Sequence, residues 1–369
     1  MSGWPVVKLS DVATLSSGGT PSKSNPAFWN GDIPWVSPKD MKSNRIEDAE
    51  DRITRDAISE SAARIVGPDS VLAVVRSGIL AHTFPVATIA RDISFNQDIK
   101  AITPKNGSLL PPYLFWMLKS REAQILRIGV KKGATVHSLS NGYLEALRFP
   151  LPRLDEQQRV VGLLNRAAEI RRRAGAARGK ARAIIPALFL DTFGDPATNP
   201  KGWPTIEFEE AIDDVTRFVP KIMRRSYLAT GKFPIYDQGQ IEIPGFTDDV
   251  ELTFSADRPL LLFGDHTRVF RIVSKRFARG ADGVRLFRTK GQTEAYFLRT
   301  YLEQYGLPNA GYSRHYRFLK SVPVATPPLD LQATFAEQVQ RLEALARHLD
   351  ATAAKAEAMA AALSAEVFE

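Results

Sequence analysis

The sequence lacks cysteine altogether among its 369 residues, which excludes disulfides, thiolate catalysis and cysteine zinc sites. Histidine is scarce, and no pair has the HxH or HxxxH spacing that favours a metal site. The five histidines are His82, His137, His266, His315 and His348. No apolar run approaches membrane-spanning length, and the opening MSGWPVVKLSDV lacks a signal-peptide layout. We therefore expect a cytoplasmic protein without a dedicated metal site.

Motifs of catalytic domains are missing as well. The segment Leu110-Pro111-Pro112-Tyr113 has the shape of the Asn/Asp-Pro-Pro-Tyr/Phe motif of amino-methyltransferases, but leucine cannot accept the hydrogen bond of the target amine. The loop at residues 129–135 lacks the Gly-Lys-Ser/Thr ending of a phosphate-binding loop. Acidic clusters at 47–51 and 207–214 could pair carboxylates as a nuclease does, although solvated surfaces are the favoured interpretation. We expect no catalytic, metal-binding or cofactor-binding residue on this chain.

Two long stretches carry apolar residues at alternating steps of four and three. The first has Leu163, Ala167, Ile170, Ala174, Ala177, Ala181, Ile184 and Leu188; the second has Phe335, Val339, Leu342, Ala346, Leu349, Ala353, Ala356, Ala360, Leu363 and Val367. This period is typical of a coiled-coil seam, and net charges of +4 at 155–191 and −4 at 330–369 favour pairing of the two helices. The alternative is two separate amphipathic helices, each packed on its own domain. Pro186 is expected to kink or end the first helix. The run Arg171-Arg172-Arg173 could face DNA between the domains, pair with the acidic helix or remain solvated, and the last two are favoured together.

The motif order repeats along the chain. Gly202-Trp203-Pro204 echoes Gly3-Trp4-Pro5, and the segment 327–332 echoes 152–157. The repeat predicts an α+β fold in which two mixed α/β domains are separated by two long helices that pair as an antiparallel coiled coil, in a pseudo-two-fold arrangement. The predicted divisions are a first domain at 1–153, a helix at 154–193, a second domain at 194–328 and a helix at 329–369. A rod of about 35 helical residues is roughly 50 Å long, which suits a long repetitive ligand such as B-DNA.

Several motifs resemble a known family. The segments that carry the resemblance are Ser17-Gly18-Gly19-Thr20-Pro21-Ser22, residues 28–37, Asn96-Gln97-Asp98-Ile99-Lys100, Gly133-Ala134-Thr135 and residues 151–159. They are similar to target-recognition domains in the specificity subunits of type I restriction-modification systems. The second half is similar through Phe233-Pro234-Ile235-Tyr236 and Pro327-Pro328-Leu329, and it lacks the Gly-Gly-Thr-Pro element.

The resemblance implies a non-catalytic protein that reads a bipartite DNA site, one half with each globular domain. Its helices would dock two copies of a methyltransferase subunit, which bind S-adenosylmethionine and methylate adenine. A restriction subunit, which is a nuclease and translocase, could join the assembly. The alternative is a coiled-coil DNA-binding scaffold or regulator without restriction-modification partners.

Polar and basic residues on predicted loops are candidates for contacts with double-stranded DNA, since Arg and Lys bond guanine edges or phosphates and Asn and Gln pair with adenine. They are Lys39, Arg76, Ser77, Asn96, Gln97, Lys131, Lys132, Thr135 and His137 in the first domain, and Lys221, Arg224, Arg225, His266, Arg268, Arg279, Tyr312, Arg314, His315 and Tyr316 in the second. The run 312–317 interleaves aromatic and basic residues, a composition typical of nucleic-acid binding. The alternative for each is a solvated side chain, and for Asn96 and Gln97 a buried residue that satisfies its own loop.

Overall fold

The computed structural model describes residues 3–280, 283–309, 311 and 313–368. The chain forms two compact units, one comprising Met1–Arg173 with Thr352–Glu369 and the other Ala174–Ala351. Within the described residues, no helix has both the length and the apolar character needed to cross a membrane. The predicted boundaries after residues 153, 193 and 328 stay predictions.

The first unit is built from short strands and helices. Its strands are β1 (Val6–Lys8), β2 (Ala13–Ser17), β3 (Trp29–Val36), β4 (Arg45–Ile46), β5 (Asp51–Ile53), β6 (Ile65–Val66), β7 (Val71–Val74), β8 (Arg76–Ser77), β9 (Val86–Ile89), β10 (Ile93–Phe95), β11 (Ile99–Pro104), β12 (Val130–Lys131), β13 (His137–Leu139) and β14 (Arg148–Pro150). Its helices are α1 (Leu9–Val12), α2 (Arg55–Ser59), α3 (Pro111–Ser120), α4 (Glu122–Gln124), α5 (Asn141–Glu145) and the first part of α6 (Leu154–Phe193). Its sheets have the orders β2-β11-β7-β9-β4, β5-β3-β10-β6, β12-β13-β8 and β1-β14. All four residues of β7 are fully buried, as expected for a strand covered on both faces.

The second unit uses a similar set of elements. Its strands are β15 (Thr205–Glu207), β16 (Ile212–Asp214), β17 (Lys221–Ile222), β18 (Phe233–Tyr236), β19 (Gly245–Thr247), β20 (Phe254–Ser255), β21 (Leu260–Gly264), β22 (Phe270–Val273), β23 (Arg276–Gly280), β24 (Val284–Thr289) and β25 (Pro323–Ala325). Its further helices are α7 (Phe208–Ala211), α8 (Ala295–Tyr305), α9 (Tyr316–Lys320) and most of α10 (Leu329–Phe368), whose end belongs to the first unit. Its sheets are β16-β24-β21-β22, β15-β25 and a third in which β17, β18 and β20 all pair with β23 and β18 also pairs with β19.

The two units share a topology. In the first, β1 pairs with β14 so that Val6 lies opposite Pro150; in the second, β15 pairs with β25 so that Thr205 lies opposite Ala325. The antiparallel order β2-β11-β7-β9 corresponds to β16-β24-β21-β22. The parallel pair β3 and β10 corresponds to β18 and β23. The repeat read from the sequence is therefore a repeat of structure.

A buried glutamine fixes the start of helix α6. Gln157 is fully buried, and its Oε1 accepts a hydrogen bond from the Leu110 amide at 2.9 Å. Its Nε2 donates to the carbonyls of Ser108 and Pro152, both at 2.8 Å. One side chain thus satisfies three backbone groups that would otherwise be buried without partners.

Gln332 does the same at the start of helix α10. It is fully buried, its Oε1 accepts from the Glu294 amide at 2.9 Å, and its Nε2 donates to Gln292 O at 2.8 Å and Pro327 O at 2.7 Å. Both glutamines therefore connect the first turn of a long helix to the segment that leads into α3 or α8.

In the first unit, α6 and α10 run antiparallel. Arg171 Nη1 of α6 lies 3.3 Å from Glu357 Oε1 of α10. Further towards the start of α6, Leu164 shares a buried core with Val367 at the end of α10. Because the partner number rises as the α6 number falls, the predicted antiparallel pairing is confirmed in this unit.

The second unit pairs the same helices in the same sense. Arg178 Nη1 lies 2.7 Å from Asp350 Oδ1, and further along α6 the Phe189 ring lies 5.6 Å from the Phe335 ring of α10. Of the run Arg171-Arg172-Arg173, Arg171 pairs with α10 as one of the sequence interpretations predicted, whereas Arg172 and Arg173 pair with Glu169 of α6 itself.

The seam of α6 is rotated from the predicted one. Leu163, Ile170 and Ile184 are 38%, 45% and 48% exposed, whereas Leu164 and Ile185 are buried. The prediction was right for Ala167, Ala174, Ala181 and Leu188, which are buried or half-buried, and wrong for Leu163, Ile170, Ala177 and Ile184. At 163–164 and 184–185 two leucines or two isoleucines are adjacent, so the period alone does not decide which member faces inward. In α10, by contrast, all ten predicted seam residues are buried or half-buried.

Pro186 does not end α6, which continues to Phe193. Phe189 and Phe193 follow the proline and are both buried. The Phe193 ring lies 4.8 Å from the Phe297 ring and 5.4 Å from the Phe335 ring. Burial of these aromatic rings outweighs the hydrogen bond that a proline forfeits inside a helix.

Candidate nucleic-acid interface

A small sheet of the first unit brings four predicted contact residues together. Strand β13 lies between β8 and β12. His137 lies opposite Ser77, and Ser138 lies opposite both Arg76 and Lys131. Residues from three separate parts of the sequence therefore form one polar and basic surface.

The loop before β13 is closed by His137. The Gly133 amide donates to His137 Nδ1 at 3.1 Å, so the neutral ring carries its proton on Nε2. A Cβ on Gly133 would lie 2.2 Å from Val136 O, so this turn requires glycine. Lys132 and Thr135 are exposed on the same loop, where the structure leaves them accessible to a ligand.

The segment Ser17–Ser22, which contains Gly18 and Gly19, packs against the end of β10. The Gly19 amide donates to Phe95 O at 3.0 Å, and a Cβ on Gly18 would lie 2.0 Å from the same oxygen. Thr20 Oγ1 donates to Gln97 Oε1 at 2.5 Å. Two motifs that carry the family resemblance are thus in direct contact.

Asn96 satisfies the turn after β10. It is 7% exposed; its Oδ1 accepts from the Asp98 amide and its Nδ2 donates to Asp98 Oδ2, each at 3.1 Å. Asp98 O accepts from the amides of Val75 and Arg76 at 2.8 and 3.2 Å. This geometry favours the interpretation of Asn96 as a loop-satisfying residue, while Gln97 is exposed.

Lys39 follows β3, beside the turn that follows β10. Its Nζ lies 2.9 Å from Asp51 Oδ2 and 3.3 Å from Glu50 Oε2. The hydrogen bond to Asp51 raises the pKa of Lys39. A phosphate would therefore have to compete with two carboxylates for this ammonium.

In the second unit, the carboxyl ends of three parallel strands meet. Strands β17 and β18 both run parallel to β23. Arg224 and Arg225 are exposed just after β17. Gln238, just after β18, accepts from the His266 amide at 3.2 Å. This edge therefore collects three predicted contact residues, together with Gln238, which the loop pattern missed.

Two of the candidate arginines donate hydrogen bonds to backbone carbonyl groups. Arg268 Nη1 donates to Leu307 O at 3.0 Å. Arg279 donates from Nε and Nη2 to Val219 O at 3.1 and 2.9 Å, and lies opposite Lys221 in the β17–β23 pair. Their guanidinium groups stabilise loops of the second unit, and contact with DNA stays a prediction for all three.

His315, in the run 312–317, is held against the turn that follows β21. It is fully buried, and its amide and Nδ1 both lie 2.9 Å from Asp265 O. A carbonyl only accepts, so Nδ1 carries the proton. The Tyr316 amide donates to Asp265 Oδ1 at 2.8 Å, and Arg314 is exposed beside it. The predicted residue Tyr312 lies outside the described residues.

Basic residues that the loop pattern missed surround Tyr316. Arg285 of β24 places its guanidinium carbon 3.6 Å from the centre of the Tyr316 ring, and Lys320 Nζ lies 5.3 Å from it. Arg317 ends the run 312–317 already noted in the sequence, and Lys320 belongs to the same short helix, so the basic residues of α9 could have signalled it. Arg285 lies on a strand some thirty positions away, and local sequence carries no signal for that contact. Within the described residues, no group of three His, Asp or Glu side chains is arranged to hold a metal ion.

Comparison with known proteins identifies the first of these units. Residues 1–169 match the family model of the type I restriction modification DNA specificity domain. This part of the chain is similar to that domain family, and the resemblance seen in the sequence motifs is confirmed.

Two relatives are similar over the same part. The specificity subunit of the type I restriction enzyme EcoR124I/EcoR124II from Escherichia coli is 39% identical over 159 residues, which are 43% of this chain and 39% of that protein. The specificity subunit of the type I restriction enzyme MjaIX from Methanocaldococcus jannaschii is 30% identical over 165 residues, 44% of this chain and 37% of that protein. The chain thus matches less than half of the length of each of these relatives.

Solved structures are similar over the whole chain. The S subunit of a type I restriction-modification system from M. genitalium has a TM-score of 0.69 at 13% identity, with 100% of this chain and 96% of that chain covered. A chain from a structure of the assembly and conformational transition of the type I restriction-modification system has a TM-score of 0.55 at 17% identity, covering 100% and 98%. At these identities the likeness concerns the fold alone. The predicted class, two mixed α/β domains with two long helices, is confirmed.

Proposed function

We propose that this chain is the DNA sequence-specificity subunit of a type I restriction-modification complex, in which each globular region reads one half of a bipartite site. The observation that carries the proposal is that two units of one topology present different side chains at corresponding edges. The corresponding strands β7 and β21 are followed by Arg76 in the first unit and by His266 in the second, and the corresponding strands β3 and β18 are followed by Lys39 and Gln238. Similar frameworks with different polar side chains suit two different half-sites.

Methylation sequencing tests this proposal. The chain would be expressed with its methyltransferase subunit, and the modified adenines would define the site. We expect a bipartite sequence, and we expect exchange of residues 1–150 for a homologous domain to change one half-site only. Methylation or binding without sequence preference would overturn the proposal and leave a non-specific DNA-binding scaffold.

The helices support a proposal about partners. Ile170 and Met359 are exposed in the first unit, and Ile184 and Leu345 are exposed in the second. A spacing of 175 positions separates Ile170 from Leu345 and Ile184 from Met359, the same spacing that separates the two buried glutamines. Each unit therefore offers an apolar side chain at each of two equivalent positions, and exposed apolar side chains on helices suit a protein partner.

We propose that each pair docks one copy of the methyltransferase subunit, which would bind S-adenosylmethionine and carry out adenine methylation. In this proposal the chain itself performs no catalytic step, acts in the cytoplasm, and leaves room for a restriction subunit to join.

Native mass spectrometry of the complex tests the docking proposal. Ile170→Glu and Leu345→Glu should each remove one of two methyltransferase copies, because a carboxylate in an apolar contact costs several kcal/mol unless it is paired. Gln338→Glu, an exposed substitution on the same helix as Leu345, is the control and should retain both copies. Retention of both copies by both test variants would contradict this docking surface.

A further inference from the structure

A hollow of about 290 Å³ lies in the second unit beside the turn that follows β21. Four cations and one carboxylate are part of its lining, namely Arg285, Arg314, Arg317, Lys320 and Asp265. It is large enough for part of one nucleotide, and too small for a duplex. Its position next to His266 places it at the edge already described as the candidate interface.

Within the described part of the chain, some cations of the hollow already form ion pairs with carboxylates of the protein, and others do not. Arg285 Nη1 lies 2.9 Å from Asp214 Oδ2, and Lys320 Nζ lies 2.6 Å from Glu209 Oε1. Arg314 and Arg317 are exposed, and among the described residues no carboxylate forms an ion pair with either. Exposed arginines of this kind bind phosphate with little competition from the protein.

Tyr316 is not a free stacking platform. One neighbour is the Phe287 ring, stacked at 5.7 Å, and another is the Arg285 guanidinium at 3.6 Å. The ring therefore orients Arg285 and closes one side of the hollow, and a base would enter beside it.

Asp265 is held rigidly with one oxygen committed. It is 5% exposed, its amide donates to Gly283 O at 2.7 Å, and its Oδ1 accepts from the Tyr316 amide. An ionised carboxylate only accepts hydrogen bonds, so it repels phosphate and can bind the exocyclic amino group of cytosine or adenine. A fixed acceptor surrounded by cations is thus matched to a nucleotide, whose base offers an N–H and whose phosphate is anionic.

The residues of the first unit that correspond to Tyr316, Arg317 and Lys320 carry no positive charge. With the helix spacing of 175 positions, Tyr316, Arg317 and Lys320 correspond to Asn141, Gly142 and Glu145. The second unit alone, among these matched positions, carries the cations.

We propose that this hollow binds one nucleotide of the DNA strand, with the phosphate on Arg314 and Arg317 and an amino group of the base on Asp265. The inference rests on the proposed function, and it names the base-selecting residue of the second half-site. Asp265 is then a specificity-determining residue, and Arg317 an affinity-determining one.

The phosphate contact is tested with Arg317→Gln in the full chain. Binding is measured to a fluorescent 30-base-pair duplex that contains the recognition site identified by methylation sequencing. Loss of one phosphate contact should weaken binding roughly eightfold at about 0.1 M salt and lower the slope of log affinity against log salt by about 0.9. Arg341→Gln, an exposed arginine of α10, is the control and should match the wild type. Equal behaviour of the two variants would overturn the phosphate assignment.

The base contact is tested with Asp265→Asn, which keeps an acceptor for the Tyr316 amide and replaces the other oxygen by a donor. We expect the preference between bases at one position of one half-site to change by roughly tenfold or more, measured as the ratio of methylation at sites that differ only there. The other half-site should be unchanged. If this variant fails to fold, the wild-type chain is tested on duplexes in which single adenines or cytosines are replaced by analogues without the amino group; one replacement should weaken binding by a similar factor.

If Asp265→Asn gives the same methylation pattern as the wild type, this inference alone is overturned. The same holds if the wild-type chain binds every duplex equally well after an amino group has been removed. A wild-type chain without any sequence preference overturns the proposed function and the inference with it.

Discussion

The two units attach their long helices in the same way and then differ around the attachment. Gln157 and Gln332 each make three hydrogen bonds to backbone groups at corresponding places. Such bonds specify a backbone geometry whatever the neighbouring side chains are. The attachment can thus stay constant while the surrounding surface diverges.

The neighbouring contacts between domain and helix illustrate that divergence. In the first unit, α3 meets α6 through a neutral hydrogen bond from Trp116 Nε1 to Asn165 Oδ1 at 2.9 Å. In the second, Arg299 of α8 donates to Glu343 of α10 at 2.5 Å and is 8% exposed. The contact between a domain helix and a long helix is therefore a neutral hydrogen bond in one unit and an ion pair in the other.

The loop histidines differ in an instructive way as well. His137 accepts a backbone hydrogen bond on Nδ1, whereas His315 donates from the same atom. The neutral rings are therefore opposite tautomers, and the ring of His137 leaves an Nε2–H for a ligand while His315 is fully buried. Matching residue types in two copies do not imply matching roles.

The largest expected effect tests the shared attachment. Gln157→Leu and Gln332→Leu should each destabilise the unit that contains the substituted residue by roughly 3–6 kcal/mol, because three buried backbone groups lose their partners. Hydrogen exchange followed by mass spectrometry would report the loss of protection separately for each unit.

The matched controls are Gln158→Leu and Gln338→Leu, which alter exposed glutamines one or six positions away. A loss no larger than in these controls would contradict the role of the buried glutamines, and a large loss in one unit only would break the comparison between them.

A somewhat smaller effect is expected where the units differ. Arg299→Leu should cost about 3 kcal/mol, since it leaves Glu343 without its partner in a partly buried position. Arg299→Leu with Glu343→Leu should recover most of that loss. Chemical denaturation of the three variants measures the cycle, and additive losses in the double variant would show that the pair is not coupled.

The smallest expected effect concerns the pH dependence of stability. Burial would raise the pKa of Glu122, but hydrogen bonds from Thr83, the Phe84 amide and Lys119 outweigh it and lower the pKa below 4.5. In the second unit, burial raises the pKa of Glu294 above 4.5. The ionised form is thus favoured by folding in one unit and disfavoured in the other.

The two signs follow from linkage. Glu122 contributes stability that is present above pH 4.5 and is lost as the pH falls through its lowered pKa, so Glu122→Gln should destabilise the chain at pH 7. Glu294 contributes stability that is lost as the pH rises from 4.5 through its raised pKa, so Glu294→Gln should stabilise it at pH 7. We expect changes of about 1 kcal/mol or less in urea titrations at pH 4 and 7. Shifts of the same sign in both variants would contradict the assignment.

Much of the fold could be predicted from the sequence. The ten-residue seam of α10 follows from spacing alone, since an apolar period fixes one face of a helix. The repeat of short motifs such as Gly-Trp-Pro predicted a repeat of whole domains, because similar segments fold similarly. The interface was less accessible. Arg279 and His315 are bonded to backbone groups 60 and 50 positions away, and no local pattern contains that information.

By itself, the sequence determined the α+β class, the two copies of one module, the two long helices and the likeness of the first 169 residues to a DNA specificity domain. Only the tertiary structure decided that Leu164 and Ile185 face inward instead of Leu163 and Ile184, and that α6 passes through Pro186. The physical reason is that adjacent helical residues differ by only about 100° around the axis, so the partner surface selects between them. Hydrogen-bond partners such as those of Gln157 and Asp265 likewise come from distant segments, which meet only when the chain has folded.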